Sequence, residues 1–329
     1  MGEDLVAQAR WLLAIADDLT GALEVGAKFA GAVVTTDLVI SRRPDTRVLV
    51  VDTETRHLAP DEAADVVLET VLSAWEFAPD FVYKKTDSTL RGNIAAELRA
   101  LMSVYPERPL VYAPAYPDMG RTVREGNLFV HGVPVHRTAF AADPLNPVLG
   151  SSIIELLGDV AATVLDGELN ADIEAAASDI VQRDPPPLAA GPASLAGALA
   201  RCLELNPEKL PLPRLPRCLV VNGSLHPASA AQIEFARANG AINGEWVCCD
   251  RRPESVLGML AEAPYDGLIV FGGDTAFDIH RALGTRDFHT CGEVVAGVPL
   301  SRRGDLIWVT KAGGFGAPEL LCELRKRLI

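Results

Sequence analysis

Six times along the chain, an apolar run of about five or six residues ends in a polar or glycine-rich turn that opens an amphipathic helical stretch. "WLLAIA" passes through "DDLTG" into "ALEVGAKFA", "VLVV" through "DTETRHLAP" into "DEAADVVLETVL", and "DFVY" through "KKTDSTLRGN" into "IAAELRALM". Beyond residue 215 the pattern returns: "CLVV" leads into "NGSLHP", "GLIVF" into "GGDT", and "DLIWVT" into "KAGGFG". Near-continuous apolar runs alternating with helical periods predict buried parallel strands in an α/β fold. In such sheets ligands gather beyond the carboxyl ends of the strands, so these six turns are where chemistry is expected.

A chain of 329 residues exceeds one ordinary core and predicts two domains. Two proline-rich stretches, "RDPPPL" and "NPEKLPLPRLPR", punctuate its middle. The second fits neither a helix interior nor a central strand and makes the better junction. The expected domains are therefore 1–208 and 215–329, each a mostly parallel sheet flanked by helices. An insert, "GNLFVHGVPV", reads as a hairpin within the first domain, with His131-Gly132 at its turn.

The excess of 44 acidic over 30 basic residues, a net charge of −14, argues against nucleic acid or an anionic membrane as partner. An anionic small molecule would have to be held by local cations and backbone amides. "MGEDLVAQARWLL" lacks the basic start and apolar core of a signal peptide, and no run reaches the length that spans a bilayer. The six cysteines show no metal or disulfide spacing, which fits reduced thiols in a cytoplasmic protein.

The first-half turns are rich in charge and hydroxyls. Asp17 and Asp18 close the first strand; one suffices as a helix cap, and the other is left to meet a ligand or accept a hydroxyl proton. Arg56 follows the second strand. Lys84, Lys85, Thr86, Asp87, Ser88 and Arg91 crowd the third turn. A solvated, capped turn accounts for some of these; three cations together point to a cradle for a carboxylate or phosphate, gripped bidentately by Arg91.

The second-half turns are glycine-rich instead. "NGS" (222–224), "FGGDT" (271–275) and "KAGGFGA" (311–317) each follow a strand and open a helix. Such turns let peptide N–H groups approach phosphates at a helix N-terminus. Each alone is also an ordinary tight connection; three in one domain favour a nucleotide. No GxxxxGK[ST] occurs, and "GFGAPE" carries Glu319 where a dinucleotide fingerprint has its third glycine. No metal-ligand spacing joins the six histidines.

The stretches "IADDLTGA", "KKTDSTLRGN", "PAYPDMGRTVREGNLFVHGVPV", "DPLNPV", "FGGDT", "GVPLSR" and "KAGGFGA", in this order, resemble the four-carbon acid sugar kinases. That family phosphorylates acids such as threonate, erythronate and 3-oxo-tetronate. The resemblance implies a sugar-acid-binding N-terminal domain, a nucleotide-binding C-terminal domain and an active site in the cleft between them. It implies substrate contacts from Asp17, Asp18, Arg56 and Lys85 to Ser88. It also implies ATP contacts from Ser224, Gly272, Gly273, Asp274, Thr275 and the glycines Gly313, Gly314 and Gly316. This chain is shorter than usual for the family, and its turn reads "NGSLHPAS" where the family reads like SGSCS followed by a threonine.

The expected mechanism has Arg56, Lys85 or Arg91 clamping the acid's carboxylate and Asp17 or Asp18 orienting or deprotonating the terminal hydroxyl. Mg2+-bound ATP lies on the glycine turns, with magnesium ligands left open. Two other readings stand beside it: a non-catalytic sensor of the same shape, and a dinucleotide-dependent dehydrogenase. A homo-oligomer is compatible with the sequence, which does not decide the matter.

Overall fold

The structure, a computed structural model, describes residues 10–41, 45–207 and 211–329. The expected end of the first domain at residue 208, and residues 1–9 of the stretch read as lacking a signal peptide, lie outside the described residues. In chain order the elements begin with β1 (Leu12–Ala16), α1 (Leu19–Gly26), β2 (Val33–Thr35), β3 (Val48–Asp52), α2 (Pro60–Trp75), β4 (Phe81–Lys85), α3 (Ile94–Val104) and β5 (Leu110–Tyr112). They continue with β6 (Arg121–Arg124), β7 (Asn127–Val130), β8 (Val133–Pro134), α4 (Ile153–Leu157), β9 (Ala162–Val164), α5 (Asn170–Gln182), β10 (Leu188–Gly191) and α6 (Ala193–Cys202). The remainder comprises β11 (Cys218–Asn222), α7 (Pro227–Ala238), β12 (Trp246–Cys249), α8 (Pro253–Glu262), β13 (Gly267–Phe271), α9 (Gly273–Ala282), β14 (Phe288–Val295), β15 (Val298–Arg303), β16 (Leu306–Lys311) and α10 (Leu320–Leu328).

All six apolar runs of the sequence pattern are strands: β1, β3, β4, β11, β13 and β16. The chain divides into two compact units, one of Met1–Asp17 with Asp37–Asn206 and one of Asp18–Thr36 with Pro207–Ile329. In the first unit the strand order is β3-β1-β4-β10-β5-β9, every pair parallel. β1, β3 and β4 are buried along their whole length, as expected of strands covered on both faces. Helix α2 packs on α3 and α5 on α6, each presenting an apolar stripe such as Ile94, Leu98 and Leu101.

The insert expected as a hairpin is a three-stranded meander, β6-β7-β8. Its turn at His131-Gly132 is where the sequence placed it, with φ of 48° and 78°, and a second lies at Glu125-Gly126 with φ of 50° and 69°. Two consecutive positive φ values make the two-residue turn whose twist matches that of paired strands.

The second unit is a mixed sheet. Its order is β12-β11-β13-β16-β15-β14-β2, parallel as far as β16 and antiparallel beyond it. The antiparallel part lies outside the six parallel runs read from the sequence, and β14 shows why. Its residues alternate buried and exposed or half-buried along the strand, leaving one face toward solvent. Trp246, Phe271, Phe288 and Trp308 are fully buried in this unit, with Phe288 and Trp308 packed edge to face at 5.4 Å.

Residues 18–36 belong to this second unit, although a cut at 208 assigns them to the first. The cause is pairing distant in sequence. β2 aligns Val34 with Phe288 and Val33 with His289. The buried Thr290 hydroxyl bonds to the carbonyls of Gly26 at 2.9 Å and Ala32 at 3.2 Å. Lys28 pairs with Glu293 at 2.7 Å. Among the described residues no helix is long and apolar enough to cross a membrane.

Thr290→Val keeps the side-chain shape and removes the hydroxyl's bonds to two carbonyls, which retain the Phe29 and Thr290 amides as donors. It should lower the unfolding free energy by about 1–2 kcal/mol, read from urea denaturation, with Thr290→Ser falling between.

Candidate active site

In the first unit the carboxyl ends of β1, β3 and β4 bring together Asp17, Arg56, Lys85, Thr86, Asp87 and Arg91. Asp17 accepts two hydrogen bonds from the Arg56 guanidinium, from Nε at 2.7 Å and Nη2 at 2.8 Å. Such a fork-to-carboxylate pair fixes both planes. Arg56 Nη1 lies 3.9 Å from Asp87 Oδ2. Gly92 makes this fit: a Cβ there would lie 3.2 Å from Asp17 Oδ2 and 3.3 Å from Arg56 Cγ, and its φ of +86° excludes most other residues.

Arg91 is held rather than free. Its Nε donates to Asp87 Oδ1 at 3.1 Å, its Nη2 to Asp87 Oδ2 at 2.8 Å and its Nη1 to Asp143 Oδ2 at 3.2 Å. Its guanidinium also lies over the Phe140 ring. The bidentate geometry expected toward a ligand is made on Asp87 within the turn. Thr89, which the sequence reading passed over, donates its amide and hydroxyl to the same Asp87 oxygen. Ser88 is half-buried in this turn.

The two lysines separate. Side chains alternate along a strand, so Lys84 and Lys85 leave β4 on opposite faces. Lys84, expected in the cradle, is fully buried, with its ammonium 2.9 Å from Glu97 of α3. Glu97 also accepts the Thr55 hydroxyl. Lys85 is 4% exposed; its carbonyl accepts from Lys84 Nζ at 2.9 Å, but its ammonium makes no hydrogen bond or ion pair with any described residue. Its charge acts at longer range on Asp17 and Asp87.

Burial by itself raises the pKa of both aspartates, but the cations outweigh it. Arg56, Lys84 and Lys85 hold Asp17 below the ordinary value of 3.8, and Arg91, Arg56 and Lys85 hold Asp87 well below it. Both stay ionised near neutrality. Burial raises the Tyr112 phenol, whose oxygen receives the Thr86 hydroxyl at 3.4 Å.

In the second unit three turns converge. Ideal Cβ atoms mark how closely: one on Gly223 would lie 1.8 Å from Thr275 Oγ1, one on Gly313 2.2 Å from Ser224 Oγ, and one on Gly314 3.2 Å from His226 Nε2. Gly272, at φ +107°, caps α9 with no side-chain partner and sits against the Ser224 amide. Asp18 and Thr20 of α1 flank Gly273, their oxygens 3.0 and 3.2 Å from its Cβ position. Asp18 also caps α1, accepting from the Gly21 amide at 3.1 Å. Asp274 is exposed in the first turn of α9. Gly316 faces away from the other glycines, packed on Leu320 and Gln232.

The sequence reading missed what shapes the last turn. Lys311 is fully buried, and its Nζ donates to Ser229 Oγ at 3.1 Å and to the carbonyls of Gly313 and Phe315 at 2.9 and 3.1 Å. Gln232 Nε2 donates to the carbonyls of Phe315 and Gly316, both at 2.9 Å, and of Ala317 at 3.1 Å. With these carbonyls tied back, the amides of Gly313 and Gly314 donate to no described residue. Burial pulls the Lys311 pKa down to about 7, while the three acceptors and the Phe271 ring at 4.5 Å favour its charged form. A lysine ending an apolar strand next to glycines was the available signal. The first amides of α9, which have no acceptor within the helix, add to a surface suited to phosphate.

Among the described residues no three His, Cys, Asp or Glu gather to hold a metal ion. Magnesium carried by phosphate needs only one or two protein carboxylates, and Asp18 and Asp274 are placed beside the α9 turn for that.

Residues 12–163 match the model of a sugar-binding N-terminal domain, and residues 253–321 that of a nucleotide-binding C-terminal domain. A D-threonate kinase of Salmonella typhimurium is 30% identical, the alignment taking in 95% of this chain and 97% of that protein. It runs over 415 positions, so the relative carries insertions against these 329 residues. A D-erythronate kinase of Heliobacterium modesticaldum is 34% identical over 151 residues, 44% of this chain and 34% of that one. A crystal structure from Salmonella typhimurium LT2 superposes with a TM-score of 0.79 at 20% identity, over 97% of this chain and 99% of the other, and shares its fold.

Lys84→Met leaves the Glu97 carboxylate buried without its cation and should cost about 3–5 kcal/mol of stability; the double change with Glu97→Leu should recover most of it in the same denaturation assay. Asp17 and Asp87 contribute stability that is complete above 3.8 and drains away as pH falls through their lowered folded values. Urea midpoints from pH 6 to 2 should therefore fall more steeply below pH 4 in the wild type than in Asp17→Asn. The motifs, the two domain matches and the full-length relative agree: this chain belongs to the four-carbon acid sugar kinase family.

Proposed function

We propose that the protein is an ATP-dependent kinase that phosphorylates the terminal hydroxyl of a four-carbon sugar acid, of the threonate, erythronate or 3-oxo-tetronate type. The acid-binding domain spans 1–208 and the nucleotide-binding domain 215–329, with Asp18 and Thr20 serving the latter. The observation that carries the acid end is Lys85, a buried ammonium without a direct partner among the described residues. A buried cation is costly until an anion meets it, so a substrate carboxylate completes what the fold leaves open. Thr86, Ser88 and Tyr112 supply hydroxyls for a polyol chain around it, and the Arg56 and Arg91 pairs hold Asp17 and Asp87 in place.

Asp17, ionised and fixed by Arg56, accepts a hydrogen bond from an acceptor hydroxyl and orients it; its lowered pKa makes it a weak base. The triphosphate rests on the amides of Gly313, Gly314 and the first turn of α9, with Ser224 and Thr275 beside them. The hydroxyl oxygen bonds to the γ-phosphorus as the bond from that phosphorus to the β–γ bridging oxygen breaks, giving the phosphorylated acid, ADP and a proton. Positioning and charge neutralisation suffice for most of the rate in phosphoryl transfer, which explains how a site without a Walker lysine works. Magnesium, when bound with the nucleotide, neutralises phosphate charge.

Coupled ADP release measured with D-threonate, D-erythronate and 3-oxo-tetronate tests the reading. Turnover with one of them is expected; binding of acid and nucleotide without ADP release would make the protein a sensor instead. Lys85→Met should lower kcat/KM for the acid about a hundredfold while leaving the nucleotide dissociation constant unchanged.

A further inference from the structure

Thr20 carries a hydroxyl that the fold does not use. The residue is 5% exposed, and its Oγ1 has no hydrogen-bond partner among the described residues. Buried hydroxyls are almost always bonded, because an unmet one forfeits its bonds to water. Threonine at the second position of a helix can satisfy itself by bonding local backbone. Here the N-cap bond of α1 is made by Asp18 instead, and Thr20 Oγ1 is directed across to α9.

Its target is specific. Thr20 Oγ1 lies 3.2 Å from the Cβ position of Gly273, the first residue of α9, whose N-cap Gly272 offers no side chain. Around the same point stand Asp18 Oδ2 and the Ser224 turn, and the first amides of α9 have no acceptor within their helix. A helix N-terminus whose cap is a glycine and an unmet hydroxyl aimed at it suit the same thing, an anionic oxygen.

We propose that Thr20 is a nucleotide-binding residue, its hydroxyl donating to a phosphate oxygen of the nucleotide's polyphosphate tail at the α9 N-terminus. The inference rests on the nucleotide reading of the glycine turns. It moves the second half of "DDLTG" from the acid to the phosphoryl donor: Asp17 belongs to the first unit with Arg56, whereas Asp18 and Thr20 belong to the second with Gly273.

Thr20→Val keeps the shape and deletes the hydroxyl, and Thr20→Ser restores it. Calorimetric titration with MgADP and, separately, with D-threonate on all three proteins decides the matter. MgADP binding should weaken about tenfold in Thr20→Val, the scale of one lost hydrogen bond to a charged group, and return in Thr20→Ser. D-threonate binding should be unchanged, and the urea midpoint of Thr20→Val should be no lower than wild type, since a purely structural hydroxyl would have been missed by the fold. Unchanged MgADP affinity in Thr20→Val, or a loss matched by a fallen urea midpoint, overturns the assignment. If the wild type takes up D-threonate but no MgADP, the nucleotide reading itself fails and Thr20 falls with it.

Discussion

Burying charge is the constraint around which the first unit is arranged. A parallel sheet covered on both faces leaves its polar groups little room except at the strand ends. There Asp17, Asp87 and Glu97 lie almost wholly out of water, and each is met by a cation: Arg56, Arg91 and Lys84. Two of these pairs, Asp17–Arg56 and Glu97–Lys84, join residues that the chain brings in on different elements, while Asp87–Arg91 closes a single turn on itself. Their mutual satisfaction holds β1, β3, β4 and α3 in one geometry, and the Lys85 ammonium is left without a direct partner among the described residues.

The second unit solves the opposite problem, exposing peptide N–H groups without losing the loop that carries them. Glycine turns are soft, and their entropy works against a fixed phosphate site. Lys311 and Gln232 counter this from inside the sheet and from α7 by taking the carbonyls of Gly313, Phe315, Gly316 and Ala317. The turn is held by its acceptors so that its donors remain. Ser224 closes against Gly313, Gly272 against Ser224 and Thr275 against Gly223, and the start of α1 lies against Gly273.

Much of this was readable beforehand. The six long apolar runs are strands and their turns carry both clusters, because a strand buried on both faces leaves an unmistakable apolar string. β5, β9 and β10 escaped notice: three or four residues, one of them alanine-rich, carry too little pattern to separate from loop. β14 and β15 escaped for another reason, since their half-exposed alternation departs from the parallel grammar. Arg91 and Lys84 were correctly seen as cations near a strand end, but composition does not say whether a cation meets a ligand or a neighbour. Glu97 meets Lys84, and Asp87 with Asp143 meets Arg91; Glu97 lies on a helix with no functional signature of its own, whereas Asp143 opens the "DPLNPV" stretch.

The amino-acid sequence by itself determined the α/β class, the family and the two kinds of turn, because these depend on local periodicity and on motifs contiguous in the chain. Tertiary structure alone decided which unit owns Asp18 and Thr20, which lysine ammonium of the pair stays without a partner among the described residues, and what restrains the last glycine turn. Each of those outcomes is a contact between residues tens to hundreds of positions apart, as between Val34 and Phe288 or Gln232 and Phe315. Local preference carries no information about such contacts; only the closing of the chain around its buried charges and strands selects them.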